Sequence, residues 1–239
     1  MAEVHDVVLG SGDGEFPGAA SVPEGEPRGG VVVVQEAFGL TSHIRSICGR
    51  LADAGYLAVA PALFHRVGAP VFSYDEIAQA RPLLQGLDGD EILADLGASF
   101  AYLGAEGLPI GRCAVVGFCM GGSVALVAAT KVPIGAAVTY YGGGVAESRF
   151  GFPPLAEIAP SLAVPWLGLF GDEDASIPVD QVERLRAQSL LAPVATELVR
   201  YPDAGHGFNC DDRGSYAEGA ATDAWARTLA WLDAHLPRP

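Results

Sequence analysis

Gly117-Phe118-Cys119-Met120-Gly121-Gly122 has the form Gly-x-nucleophile-x-Gly, with cysteine where serine is usual. The apolar run Arg112-Cys113-Ala114-Val115-Val116 ahead of it reads as a buried strand, and Ser123-Val124-Ala125-Leu126-Val127-Ala128-Ala129 behind it reads as a helix. A strand, a sharp turn and a helix in that order predict a nucleophile elbow, whose glycines relieve clashes with the neighbouring strand and helix. The Cys119 side chain is then left at a helix N-terminus, where unpaired N–H groups and the helix dipole favour a thiolate and a developing oxyanion. The Met120 N–H is the expected first oxyanion donor. The competing reading makes Cys119 a buried packing residue, since free cysteine is among the most buried types.

A triad in the chain order nucleophile, acid, histidine favours catalysis. The strand-like Pro165-Trp166-Leu167-Gly168-Leu169-Phe170 runs into the acidic loop Gly171-Asp172-Glu173-Asp174, which supplies Asp174 as the acid and Asp172 as the alternative. Pro178 then opens a helix carrying Val179, Val182 and Leu185 on one face. The strand-like Ala195–Arg200 leads to Tyr201-Pro202-Asp203-Ala204-Gly205-His206-Gly207-Phe208, where His206 stands between glycines as the expected base. His5 and His235 fit structural or surface positions. His206 would take the Cys119 proton and later protonate the leaving oxygen, with Asp174 fixing the imidazole tautomer.

Around these motifs, strand and helix signals alternate. Val4–Val8 and Gly18–Val22 are expected to pair as an outer hairpin, followed by parallel strands over Val31–Gln35, Leu57–Ala60, Ala114–Gly117, Ala136–Tyr140, Trp166–Phe170 and Thr196–Tyr201. Helices are expected over Ile44–Ala54, Glu91–Leu103, Met120–Ala129 and Val179–Leu190, and a last one carries Trp225, Leu229, Leu232 and Leu236 at helical spacing. This pattern predicts an α/β fold, a mostly parallel eight-stranded sheet with helices on both faces, in one domain over 1–239. The Gly- and Pro-punctuated stretch from 142 to 160 is expected to form a small lid over the elbow.

Four stretches carry a family resemblance over nearly the whole chain: Gln35-Glu36-Ala37-Phe38-Gly39-Leu40, Ala60-Pro61-Ala62-Leu63-Phe64, the elbow, and Asp203-Ala204-Gly205-His206-Gly207-Phe208. Together they resemble dienelactone hydrolase, also called carboxymethylenebutenolidase. The resemblance implies an α/β-hydrolase whose Cys-His-Asp triad opens an unsaturated lactone during bacterial breakdown of aromatic compounds, with no metal and no organic cofactor.

Glu36 also has a physical reading, because a carboxylate directly after Val31-Val32-Val33-Val34-Gln35 stands at the carboxyl edge of a buried strand, where open sheets bind ligands. Capping of the helix that begins near Thr41 or Ser42 is the alternative. By resemblance, Glu36 lies beside the nucleophile and controls its ionisation, and the Ala37 N–H is the second oxyanion donor. The family holds a substrate carboxylate with arginines. Arg81 and Arg213 are the candidates here, each with a solvated surface role as the alternative, and Arg213 arrives late, behind Asp211 and Asp212. Phe38 and Phe208, with Phe72 and Tyr74, are available to line the pocket.

Composition agrees with an enzyme. The 239 residues are 50% hydrophobic, enough for a large core, and the net charge of -15 argues against nucleic acid or an anionic membrane surface as partners. Local arginines can still attract an anionic substrate, because screening removes distant charges beyond roughly 8 Å at physiological salt. Cys48, Cys113, Cys119 and Cys210 form no Cys-x-x-Cys pair and no zinc spacing. The N-terminal stretch from Met1 to Asp6 lacks a basic start and an apolar run, so the expected place is the cytoplasm, which keeps Cys119 reduced, and the expected state a monomer or small homo-oligomer. Three functions fit: a cysteine hydrolase of a lactone, a hydrolase or thioesterase of another carboxylic ester, and a non-catalytic thiol sensor built on Cys119.

Overall fold

The computed structural model describes residues 1–11 and 14–237. Its centre is a run of strands apolar enough to be buried on both faces: β3 (Gly30–Val34), β4 (Leu57–Pro61), β5 (Cys113–Phe118), β6 (Ala136–Tyr140) and β7 (Trp166–Gly171) have every residue buried. Such strands need helices on both sides, and the helices between them supply the cover. β1 (His5–Ser11) and β2 (Gly14–Ser21) form an antiparallel hairpin on one flank, and β8 (Thr196–Tyr201) closes the other. The eight strands lie in the order β1-β2-β4-β3-β5-β6-β7-β8, antiparallel as far as β2/β4 and parallel from β4 onward.

After β3 the chain steps out to β4, then returns to lay β5 on the other side of β3. The reversal makes the carboxyl ends of β3 and β5 a topological switch point, the place where open α/β sheets leave a crevice. Val34 is in register with Gly117 there, so Glu36 and Cys119 leave the sheet side by side.

Among the helices, α1 (Ser42–Asp53) is capped by the Thr41 hydroxyl, which accepts from the Ile44 amide, and it buries Ile44, Ile47, Cys48 and Leu51. α3 (Gly89–Ala105) starts at Asp88, whose carboxylate accepts from the Asp90 and Glu91 amides. α4 (Met120–Lys131) follows the elbow, and α6 (Val179–Ser189) follows β7. α7 (Glu218–His235) differs in detail from its sequence reading. Leu232 and Leu236 are buried, but the remaining inner positions are Ala221, Ala224 and Thr228. These small residues let the helix approach the sheet, where the Thr228 and Tyr140 hydroxyls hydrogen-bond at 2.7 Å.

α2 (Ile77–Gln85) was not expected. It buries only Ala80 and contains Pro82, so its sequence shows neither an apolar stripe nor an uninterrupted donor ladder. The stretch expected as a lid is mostly packed. Val145, Phe152, Leu155 and Ala156 are buried, and a short helix, α5 (Leu155–Ile158), contacts α4 and α6. Its tip, with Arg149 and Phe150, borders a groove shared with α2.

Candidate active site

The backbone at Cys119 has φ of 56° and ψ of -116°, an unfavourable conformation for a side-chain-bearing residue, and it is the N-cap of α4. Close packing holds it there. A Cβ on Gly117 would lie 1.8 Å from the Gly121 carbonyl oxygen, and one on Gly121 would lie 2.3 Å from that of Val34. The two glycines of the motif thus let β5, α4 and β3 converge beneath the thiol. Met120 N–H, first in α4, is a donor that no preceding turn of helix can use.

The thiol meets its partners in line. Cys119 Sγ lies 3.1 Å from His206 Nε2, and His206 Nδ1 lies 2.6 Å from Asp174 Oδ2. The other carboxylate oxygen, Oδ1, accepts from the Ser176 amide at 2.9 Å and the Ser176 hydroxyl at 2.6 Å. Burial raises the Asp174 pKa, but His206 and Ser176 outweigh it and hold the carboxyl below its ordinary value. At His206 burial works toward the neutral ring. The negative charges of Cys119 and Asp174 and their hydrogen bonds overcome it and push the pKa up to about 10. Asp172, the alternative acid, is instead clamped by Arg200, with Nε and Nη2 at 2.6 and 2.7 Å from its two oxygens.

Glu36 is fully buried, and its Oε1 accepts from Arg213 Nη1 at 3.1 Å. The cap of α1 is the Thr41 hydroxyl and not Glu36. Burial raises the Glu36 pKa against the lowering influences of Arg213, His206 and Tyr74. Arg213 reaches Glu36 because the loop after His206 folds back on itself: Gly207 has φ of 80°, and a Cβ there would collide with the guanidinium at 2.5 Å. The guanidinium lies over Tyr74 and Phe38, 5.3 and 5.8 Å from the ring centroids. Arg81 is placed elsewhere, on a groove of about 540 Å³ that it shares with Ile77, Leu84, Arg149, Phe150 and Ser176. Through Ser176, this groove borders the Asp174–His206 pair.

A model of the dienelactone hydrolase family matches residues 16–236. The chain belongs to that family. It is a hydrolase of ester or lactone type. A Salmonella typhimurium strain LT2 protein named "Putative carboxymethylenebutenolidase" is 42% identical over 208 residues, 84% of this chain and 76% of that one. A crystal structure from Klebsiella pneumoniae, named "Putative Dienelactone Hydrolase", is 36% identical with a TM-score of 0.87, covering 97% of this chain and 99% of that one. The fold extends to an acylaminoacyl peptidase of Pyrococcus horikoshii, 17% identical with a TM-score of 0.76, which this chain covers to 42% and itself matches over 99%.

Seen as a member of the dienelactone hydrolase family, the chain brings together Cys119, Asp174, His206, Glu36 and Arg213, and it sets Phe208 apart. Phe208, expected at the pocket wall, is fully buried against Tyr140, Tyr141 and Tyr201 and presents no surface to a ligand. Phe38 is also buried, edge-on to Tyr74. Sequence reading missed Ser176 and Tyr141. Ser176 follows Asp174 by two positions, a spacing at which a hydroxyl can bond an aspartate locally. Tyr141 has φ of 39°, is fully buried with its ring 5.2 Å from that of His206, and its hydroxyl has no partner among the described residues. No local pattern marks these properties of Tyr141.

Proposed function

We propose that this protein is a cysteine-dependent hydrolase of a lactone such as dienelactone, acting through a Cys119–His206–Asp174 triad and an acyl-enzyme. The observation that carries this reading is the unbroken chain from Sγ to Nε2 at 3.1 Å and from Nδ1 to Oδ2 at 2.6 Å. The thiolate attacks the lactone carbonyl carbon, and the carbonyl electrons move to oxygen, where the Met120 and Ala37 amides receive the charge. Removing one such donor typically costs about 2.7–4 kcal/mol of barrier. Collapse expels the ring oxygen, which takes its proton from His206. Water then gives a proton to His206 and attacks the thioester, releasing the acid and regenerating the thiolate. Asp174 keeps the Nδ1 proton in place throughout.

Arg213 and Glu36 give this scheme its control. A substrate carboxylate reaching Arg213 competes with Glu36 for the guanidinium, and a buried Glu36 released from that pair becomes a stronger proton acceptor beside Cys119. The groove shared by Arg81, Arg149 and Phe150, which borders the triad through Ser176, favours a second reading, a carboxylic ester or thioester that extends beyond a five-membered lactone.

Hydrolysis of cis- and trans-dienelactone beside p-nitrophenyl acetate tests both. The lactone reading expects the wild type to prefer dienelactone and Cys119→Ala to lose about 10⁴-fold or more in kcat. Cysteine-dependent turnover of the simple ester alone would replace it with the second reading. An absence of all hydrolysis, with reversible oxidation of Cys119, would favour a thiol sensor.

A further inference from the structure

His43, Cys210 and Asp211 take no part in the proposed reaction, yet they converge. His43 stands in the first turn of α1, and the other two lie on the loop that carries His206 and Arg213. One ligand atom from each, an imidazole nitrogen, a thiol sulfur and a carboxylate oxygen, lies within 4.8 Å of the other two. We propose that these three residues bind a thiophilic divalent cation of the zinc class, joining the start of α1 to the loop after His206.

The donor set selects the class of ion. Nitrogen and sulfur beside one carboxylate suit a borderline-soft cation such as Zn²⁺, whereas Mg²⁺ and Ca²⁺ take oxygen. Zinc bond lengths of roughly 2.0–2.3 Å imply ligand separations of roughly 3.3–3.8 Å in a tetrahedron. His43 Nδ1 and Asp211 Oδ1 are already 3.9 Å apart, too long for a hydrogen bond and close to that edge. Asp211 is the movable partner, with its side chain 77% exposed, while His43 is held in the core against Phe118.

Polar groups beside the cluster are unpartnered. His43 is buried, and its Nε2, the ring nitrogen opposite the one that faces Asp211, has no partner among the described residues. Next along the loop from Cys210, the buried Asn209 amide has neither its oxygen nor its nitrogen partnered among the described residues, and it lines a cavity of about 150 Å³ with Asp211 and Arg50. Asp211 and Asp212 favour positive charge here, and Arg50 and Arg213 oppose it. On binding, the Cys210 S–H proton leaves to solvent, metal–sulfur, metal–nitrogen and metal–oxygen bonds form, and water keeps the fourth position.

The test is independent of the hydrolase reading, because it uses the Cys119→Ala protein, which lacks the competing Cys119–His206 pair. Co²⁺ added to this protein is expected to bind one equivalent per chain with tetrahedral bands and a sulfur-to-cobalt charge-transfer band, displaced by Zn²⁺. Cys210→Ser removes the charge-transfer band, and Asp211→Asn weakens binding roughly ten-fold or more. The site is overturned if Cys119→Ala gives no such bands, or if they survive unchanged in Asp211→Asn, whose exposed side chain makes that variant decisive even where Cys210→Ser does not fold.

Discussion

Glu36 and Arg213 make the sharpest energetic case among individual residues. Both leave water, Glu36 completely, and a buried ion pair stabilises only while both partners are present. Arg213→Met is therefore expected to lose about 3 kcal/mol in urea unfolding. Adding Glu36→Gln should return most of it, whereas additive losses in the double variant would deny the coupling. His206 yields a prediction in pH. Its folded pKa of about 10 lies above the ordinary 6.5, so the folded state keeps a proton that the unfolded chain releases. The resulting stability is full below about 6.5 and is lost as pH rises through about 10. Unfolding free energy measured across that window should decline more steeply in the wild type than in His206→Gln, and parallel curves would remove the paired imidazolium from the account.

Helices and strands meet at the elbow with no spare volume. Gly121→Ala inserts a methyl 2.3 Å from the Val34 carbonyl oxygen, so α4 must move away from β3 and take Cys119 with it. Overpacking of this kind costs about 1–3 kcal/mol or more, and turnover should fall with it. Gly97→Ala is the control. Gly97 lies within α3, where an added Cβ meets nothing within 4 Å, and alanine there should stabilise by roughly 0.5–1 kcal/mol. Equal effects at both positions in thermal unfolding would show that the elbow is not tightly packed.

Across the molecule, the net charge of -15 sets up self-repulsion that the compact state concentrates. Salt shortens the Debye length from about 30 Å at 0.01 M to about 8 Å at 0.15 M, so added NaCl should raise the Tm, by about 2–4 °C for each kcal/mol gained. A falling Tm would mean that ion pairs such as Arg200 with Asp172 and Glu183 outweigh the repulsion. Among the described residues, no helix is long and apolar enough to cross a membrane.

The elbow, the order of Cys119, Asp174 and His206, and the buried parallel strands were legible along the chain, because each rests on spacing within a few residues or on chain order. α2 was hidden, since one buried alanine and an internal proline leave no periodic signal. Arg213 could be named as a candidate but not placed: it lies 177 positions from Glu36, and it arrives there only through the backbone turn at Gly207 and the aromatic bed of Phe38 and Tyr74. The burial of Phe208 and the meeting of His43 with Cys210 and Asp211 were likewise settled by packing. Local sequence specifies which groups a strand end presents. Which groups from distant strands and loops face one another follows from how those strands are ordered in the sheet.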